Sequence, residues 1–99
     1  MIDRQRIDKW LWHSRVVRTR TAAAELAASG HVRVNGTRAK APSQILRVGD
    51  VVTVSLYQGV RVLKVVGFAG QRGSSKVARL LYEELNGRGG GEAGRREAS

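Results

Sequence analysis

The sequence predicts an α+β fold with two short helices at the amino end, a run of strands joined by tight turns, and one more helix near residue 80. Three observations carry this reading. Ile7, Trp10, Leu11 and Ser14 recur at i, i+3, i+4 and i+7, the spacing of one helix face. His31-Val-Arg-Val34 alternates apolar and polar residues and runs into Asn35-Gly36, a pair that tolerates the positive φ of a tight hairpin. Val51 to Leu56 and Val60 to Phe68 flank Gln58-Gly59, a second hairpin candidate.

The elements follow in order. The first helix is predicted over 7–14, with Asp8 in its first turn, where a carboxylate suits the helix dipole. Thr19 or Thr21 can cap the second helix, because a hydroxyl accepts a bond from a free amide there. Ala22 to Ala24 is strong helix-forming sequence, Ala23, Leu26 and Ala27 make a narrow apolar side, and Gly30 can end the helix in a left-handed conformation. In the strand at 31–34, Val32 and Val34 point inward. Thr37 to Lys40 returns as a short partner strand that Ala41-Pro42-Ser43 breaks, and Val48-Gly-Asp50 marks a further turn. Val51 to Leu56 is a strand and Val60 to Phe68 the longest one, followed by a loop at Gly70 to Gly73. Residues 75–85 are predicted helical, with Val77, Leu80, Leu81 and Leu85 as the stripe and Ser74 or Ser75 as the cap. Residues 1–85 form one expected domain. Residues 86–99 hold five Gly and no large apolar side chain, so a disordered Gly/Arg tail is expected there.

The chain has 99 residues, enough for one domain with a small core. Lys and Arg number 18 against 8 Asp and Glu, giving a net charge of +10. A domain this basic attracts phosphate polymers by long-range steering. The cations are mostly Arg, whose planar fork matches phosphate oxygens and stacks on bases. Residues 1–40 carry nine of them (Arg4, Arg6, Lys9, Arg15, Arg18, Arg20, Arg33, Arg38 and Lys40) against Asp3, Asp8 and Glu25, so over half of the surplus sits in two-fifths of the chain. There is no Cys, which excludes disulfides and thiolate metal sites and fits a reducing cytosol. Met1-Ile-Asp-Arg-Gln-Arg6 lacks the apolar core of a signal peptide, no apolar run approaches membrane-spanning length, and neither short helix has the broad apolar face of a membrane anchor. A cytoplasmic protein is expected.

Catalytic signals are weak. His13 and His31 are the only histidines and no carboxylate pair stands at ligand spacing, so no metal is expected. Nothing resembles a nucleophile elbow. Gly70-Gln-Arg-Gly73 precedes a helix but lacks the Gly-Lys-Ser/Thr ending of a phosphate loop, and no cofactor is implied.

Arg18 and Arg20 flank the start of the second helix, where free amides, the positive end of the dipole and two guanidinium groups converge, an arrangement suited to phosphate. Lys9 lies one turn before His13, away from Ile7 and Leu11. Asn35-Gly36 lets an RNA backbone approach closely, and the same pair serves hairpin geometry. Trp10 belongs to the apolar side. Trp12, about 200° away around the helix, has two open readings: a stacking platform for a base or ribose, or packing beneath the C-terminal helix.

Arg6-Ile-Asp-Lys-Trp-Leu-Trp12, Val17-Arg-Thr-Arg20, Ala24-Glu-Leu26, Gly30-His-Val-Arg-Val-Asn-Gly36, Pro42-Ser43 and Val48-Gly-Asp50 together resemble the RNA-binding domain named after ribosomal small-subunit protein four, over residues 6–54. Trp10-Leu-Trp12 and the continuation into Tyr82-Glu-Glu84 resemble, more narrowly, the 15-kilodalton bacterial heat-shock protein group, which includes relatives acting in ribosome-associated quality control. The resemblance implies an αL-type fold, with two packed helices against a small, mostly antiparallel sheet. It implies RNA binding through the helix pair and the adjoining hairpin, and attachment to a large ribosomal subunit still holding peptidyl-tRNA. It places Arg6, Lys9, Arg15, Arg18, Arg20 and Lys40 on the RNA face, with Thr19, Asn35, Gly36 and Ser43 beside them. Heat-shock members often carry a long basic C-terminal helical extension; here Gly-rich sequence follows Leu85 instead, so contacts of that extension do not carry over.

The expected function is a noncatalytic protein that binds ribosomal RNA and tRNA on the large subunit, with Trp12, Arg33 and Arg38 added to the site from their place in the basic unit. A DNA-binding helix-turn-helix regulator is the rival, disfavoured because residues 22–28 are Ala-rich and offer few side chains to read bases. An RNA-modifying enzyme would need a catalytic domain for which residues 55–85 are too few, and Met1 reads as an initiator. A monomer is expected for want of a large exposed apolar stripe.

Overall fold

The structure, a computed structural model, describes residues 2–85; the tail expected at 86–99 lies outside the described residues. Strand β1 (Arg4–Arg6) leads into helix α1 (Ile7–His13), followed by α2 (Arg20–Ala28), β2 (Val32–Val34), β3 (Thr37–Arg38), β4 (Ile45–Arg47), β5 (Val51–Leu56), β6 (Gly59–Val65), a single-turn helix α3 (Ser75–Ala78) with a 3-10 turn (Arg79–Leu81), and β7 (Tyr82–Glu84). The strands make a five-stranded sheet in the order β3-β2-β5-β6-β7, antiparallel throughout, and a separate antiparallel pair β1-β4. The expected α+β architecture is the one observed.

The two helices fold where hydrogen-bond chemistry places their ends. Thr19 caps α2, its Oγ1 accepting from the amide of Ala22 at 3.0 Å. Gly30 follows with φ +87°, the left-handed region that ends a helix without a Cβ clash. Helix α1 has no side-chain cap; the amides of Ile7 and Asp8 instead donate to the carbonyls of Gln44 (2.9 Å) and Pro42 (3.2 Å). The break at Ala41-Pro42-Ser43 therefore holds the start of α1.

One apolar core joins Ile7, Trp10 and Leu11 of α1 to Ala23 and Ala27 of α2 and to Val32, Val34, Val52, Val54, Leu63 and Val65 of the sheet. The alternation of β2 and β5 puts Val32, Val34, Val52 and Val54 inside, and each such burial stabilises by about 1.5–3 kcal/mol. Small alanines at positions 23 and 27 let α2 lie close against α1.

The structure departs from the sequence reading in four places. The helix predicted over 75–85 is only one α turn and one 3-10 turn, after which Tyr82–Glu84 pairs as β7 along the free edge of β6. Ala78 and Leu81 point inward while Val77, Leu80 and Leu85 of the expected stripe are exposed. The unpaired edge of β6 outweighs local helical spacing, because a ladder satisfies amides that the edge would leave open. Strands β1 and β4 were not expected; each has three residues and buries only its middle one, Gln5 or Leu46, too little alternation to register. Strand β6 stops at Val65 instead of Phe68, since Val66 and Gly67 turn their amides to the carbonyl of Leu81. Strand β3 covers 37–38 and stops short of Lys40, whose amide donates to the Gln44 side chain instead.

Candidate nucleic-acid interface

Asp8 is the organising group at the amino end. Its carboxylate is almost wholly buried and accepts both arms of the Arg6 fork (3.1 and 2.9 Å) and the amide of Lys9 (2.8 Å). Arg20, at the start of α2, approaches the same carboxylate at 3.8 Å. Arg6 and Arg20 keep 45% and 44% of their side-chain surface exposed, so each guanidinium is anchored at one side and open at the other. Two cations share one anion and the trio retains a positive charge. The sequence placed Asp8 only with the helix dipole; no local spacing signals that Arg20, twelve residues on, meets it.

Between the helices, Arg15 takes φ +62°, an uncommon conformation for a residue with a Cβ, and its Nε donates to the carbonyl of Gly73 at 2.9 Å. Arg18, Thr19 and Arg20 are exposed at the start of α2, so the junction presents two cations beside the capped end of that helix. Arg33 and Arg38 stand directly opposite each other across β2 and β3, both exposed. The Arg38 guanidinium lies over Gly30, 2.7 Å from where a Cβ would stand, which ties this hairpin to the end of α2. Lys40 and Ser43 are exposed beyond it.

Asn35 does more than turn the chain. It sits at φ +52°, its Oδ1 accepts from the amide of Val51 (2.9 Å) and its Nδ2 donates to Asp50 (3.2 Å), while Asp50 also accepts from the amide of Arg47. The side chain fastens the hairpin to the start of β5; Gly36 beside it is open, with nothing within 4 Å of a Cβ position.

Trp12 is half-buried, and neither sequence reading describes it fully. The group over its ring is Arg72, from the segment joining β6 to α3, with the guanidinium carbon 5.9 Å from the ring centre. That segment is laced to the amino end: Trp10 Nε1 donates to the carbonyl of Gly67 (3.1 Å), Gln5 Nε2 to that of Ala69 (2.8 Å), and Arg72 Nε to that of Trp12 (3.1 Å). His13, which the sequence placed with Lys9 away from the core, is buried, and its Nδ1 lies 3.0 Å from the Ala69 carbonyl. A carbonyl only accepts, so Nδ1 carries the proton. Burial holds the His13 pKa below its usual 6.5, the Ala69 bond opposes this, and the nearby cations Lys9, Arg20 and Arg72 add to the lowering.

Among the described residues no group of three or more His, Cys, Asp or Glu is placed to hold a metal ion, and no helix is long and apolar enough to cross a membrane.

The S4 domain profile matches residues 5–52. Heat shock protein 15 of Escherichia coli is 39% identical over 79 residues, covering 80% of this chain and 59% of that protein. The RQC P-site tRNA stabilizing factor of Bacillus subtilis is 40% identical over 60 residues, covering 61% of this chain and 69% of that protein. The trimeric structure of Vibrio cholerae heat shock protein 15 superposes with a TM-score of 0.78 at 32% identity, covering 84% of this chain and 83% of that one. The match spans about three-fifths of the length of the Escherichia coli relative. The monomer expected from the sequence finds no support in the Vibrio relative, which is trimeric.

Proposed function

Because this chain belongs to the S4 domain family, we propose that it is a noncatalytic RNA-binding protein of the cytoplasm that binds ribosomal RNA and tRNA on the large ribosomal subunit, in rescue or quality control of stalled nascent-chain complexes. Residues 1–85 act as the RNA-binding unit. Arg6, Lys9, Arg15, Arg18, Arg20, Arg33, Arg38 and Lys40 neutralise phosphates, with Thr19, Asn35, Gly36 and Ser43 shaping the approach and Trp12 lying beside it. The observation that carries this reading is the anchoring of Arg6 and Arg20 on one buried carboxylate, which fixes two guanidinium groups beside the exposed Arg18 and leaves a net positive face. Such a face recognises ribose-phosphate by charge and shape, because the A-form major groove is too deep and narrow for side chains to read. The names of the relatives, a P-site tRNA stabilizing factor among them, support the ribosomal partner.

Sedimentation tests it. The wild-type chain is expected to travel with large subunits, and the Arg18→Glu, Arg20→Glu double variant to remain in the supernatant while keeping its circular dichroism spectrum. Unchanged sedimentation of a folded double variant overturns the site. Release by duplex DNA more readily than by ribosomal RNA overturns the choice of partner in favour of a DNA-binding regulator.

A further inference from the structure

Arg72 lies twenty residues beyond the matched S4 domain segment, in the connection between β6 and α3. Three hydrogen bonds from buried or part-buried side chains of β1 and α1 (Gln5, Trp10 and His13) hold the Gly67 and Ala69 carbonyls of this connection, so its path is fixed from inside. Arg15 holds the Gly73 carbonyl from the other side of Arg72. The guanidinium itself is oriented twice, by its Nε donating to the Trp12 carbonyl at 3.1 Å and by its position over the indole ring. Among the described residues it forms no ion pair with a carboxylate. Arg72 sits by the Trp12 carbonyl near the carboxyl end of α1, and Arg20 by Asp8 in its first turn, so cations flank α1 at both ends, and with Lys9 all three bear on His13.

We propose that Arg72 is a further phosphate-binding residue, which carries the RNA-binding face from the helix pair onto the β6–α3 connection, with Trp12 as the plate that holds its fork in place. This rests on the RNA-binding reading above. A guanidinium tied by its Nε and lying over an indole loses less side-chain freedom when it meets a phosphate, and its two terminal nitrogens still offer the paired donors that phosphate oxygens accept. Trp12 thereby gains a role that neither sequence reading gave it, as the support of a cation. The competing explanation is that Arg72 only caps the carboxyl end of α1 through the Trp12 carbonyl. The two differ in their response to salt, since a cap has no counterions to release from RNA.

The full chain is titrated with purified large-subunit ribosomal RNA across a salt series, alongside Arg72→Gln and Arg18→Gln. Arg72→Gln is expected to weaken binding about three- to tenfold near 0.1 M salt and to flatten log K against log salt by about 0.7–0.9. Arg18→Gln is expected to flatten it comparably. If Arg18→Gln flattens the slope and Arg72→Gln does not, the proposal fails and Arg72 is a cap. If neither variant alters binding, the proposal fails together with the assignment of Arg18 to the RNA face; if the wild-type chain itself binds no RNA, the RNA-binding reading fails as well. Should Arg72→Gln not fold, phenylglyoxal modification of the wild-type chain decides: Arg72 protected by RNA supports the proposal, and Arg72 equally reactive with and without RNA overturns it.

Discussion

Replacing Asp8 by Ala should destabilise the fold more than loss of an exposed carboxylate would. The carboxylate is almost wholly buried and takes three bonds from Arg6 and the Lys9 amide, with Arg20 a further 3.8 Å contact. Losing the acceptor of the Lys9 amide in the first turn of α1 costs about 1 kcal/mol, the usual net worth of a hydrogen bond. The Arg6 fork is nearly half exposed, so screening limits its pair to about 1 kcal/mol. The sum, about 2 kcal/mol, corresponds to a Tm lower by roughly 8–16 °C for a domain of this size. Asp8→Asn keeps the oxygen that accepts from Lys9 and loses the charge, so it should fall about midway. Thermal melting followed by circular dichroism reads both. The pairing also predicts coupling: Arg6→Ala should cost little in the Asp8→Ala background. A Tm for Asp8→Ala within about 3 °C of wild type, or full additivity with Arg6→Ala, would refute this account of the amino end.

Two further outcomes follow from the same geometry. His13 has a folded pKa below its unfolded 6.5, so the folded state binds fewer protons in that interval; stability is complete above about 6.5 and declines as pH falls through the folded value. Melts at pH 7.5 and 5.5 should show this loss, and His13→Gln should lessen it; an identical pH dependence in the variant contradicts the assignment. Gly30→Ala forces a Cβ into positive φ and to 2.7 Å from the Arg38 guanidinium, whereas Gly36→Ala meets open space at φ +83°. Gly36→Ala should therefore cost about 1 kcal/mol from backbone strain alone, and Gly30→Ala about 1–2 kcal/mol. Chemical denaturation checks the order, and Gly36→Ala proving the worse of the two would show that Arg38 does not pack as described.

How far the sequence disclosed the molecule depends on the range of the forces involved. Helix α1, a threonine cap on α2 (Thr19 or Thr21, of which Thr19 serves), Gly30, the Asn35-Gly36 turn and strand β5 are set by neighbours a few residues away, and all were legible. Residues 75–85 were misread because their pairing partner, Leu63 to Val65, lies some twenty residues off, and helical spacing says nothing of a waiting sheet edge. Strands β1 and β4 escaped for the same reason, as partners separated by forty residues with one buried side chain each. In the candidate site, the cations were visible as composition, while what fixes them was not. Asp8 holding Arg20, Ala69 holding Gln5 and His13, and Trp12 supporting Arg72 are all contacts between distant segments. Asn35 was read for its tolerance of positive φ, yet its side chain is spent on Val51 and Asp50.

The most direct test of the central claim is ultraviolet crosslinking in living cells, with the crosslinked peptides of this chain identified by mass spectrometry and the attached nucleotides sequenced. Crosslinks within residues 6–43 and at the 66–74 connection, carrying large-subunit ribosomal RNA or tRNA, are the predicted result. Crosslinks confined to the β5–β6 hairpin, or no RNA recovered at all, would contradict it.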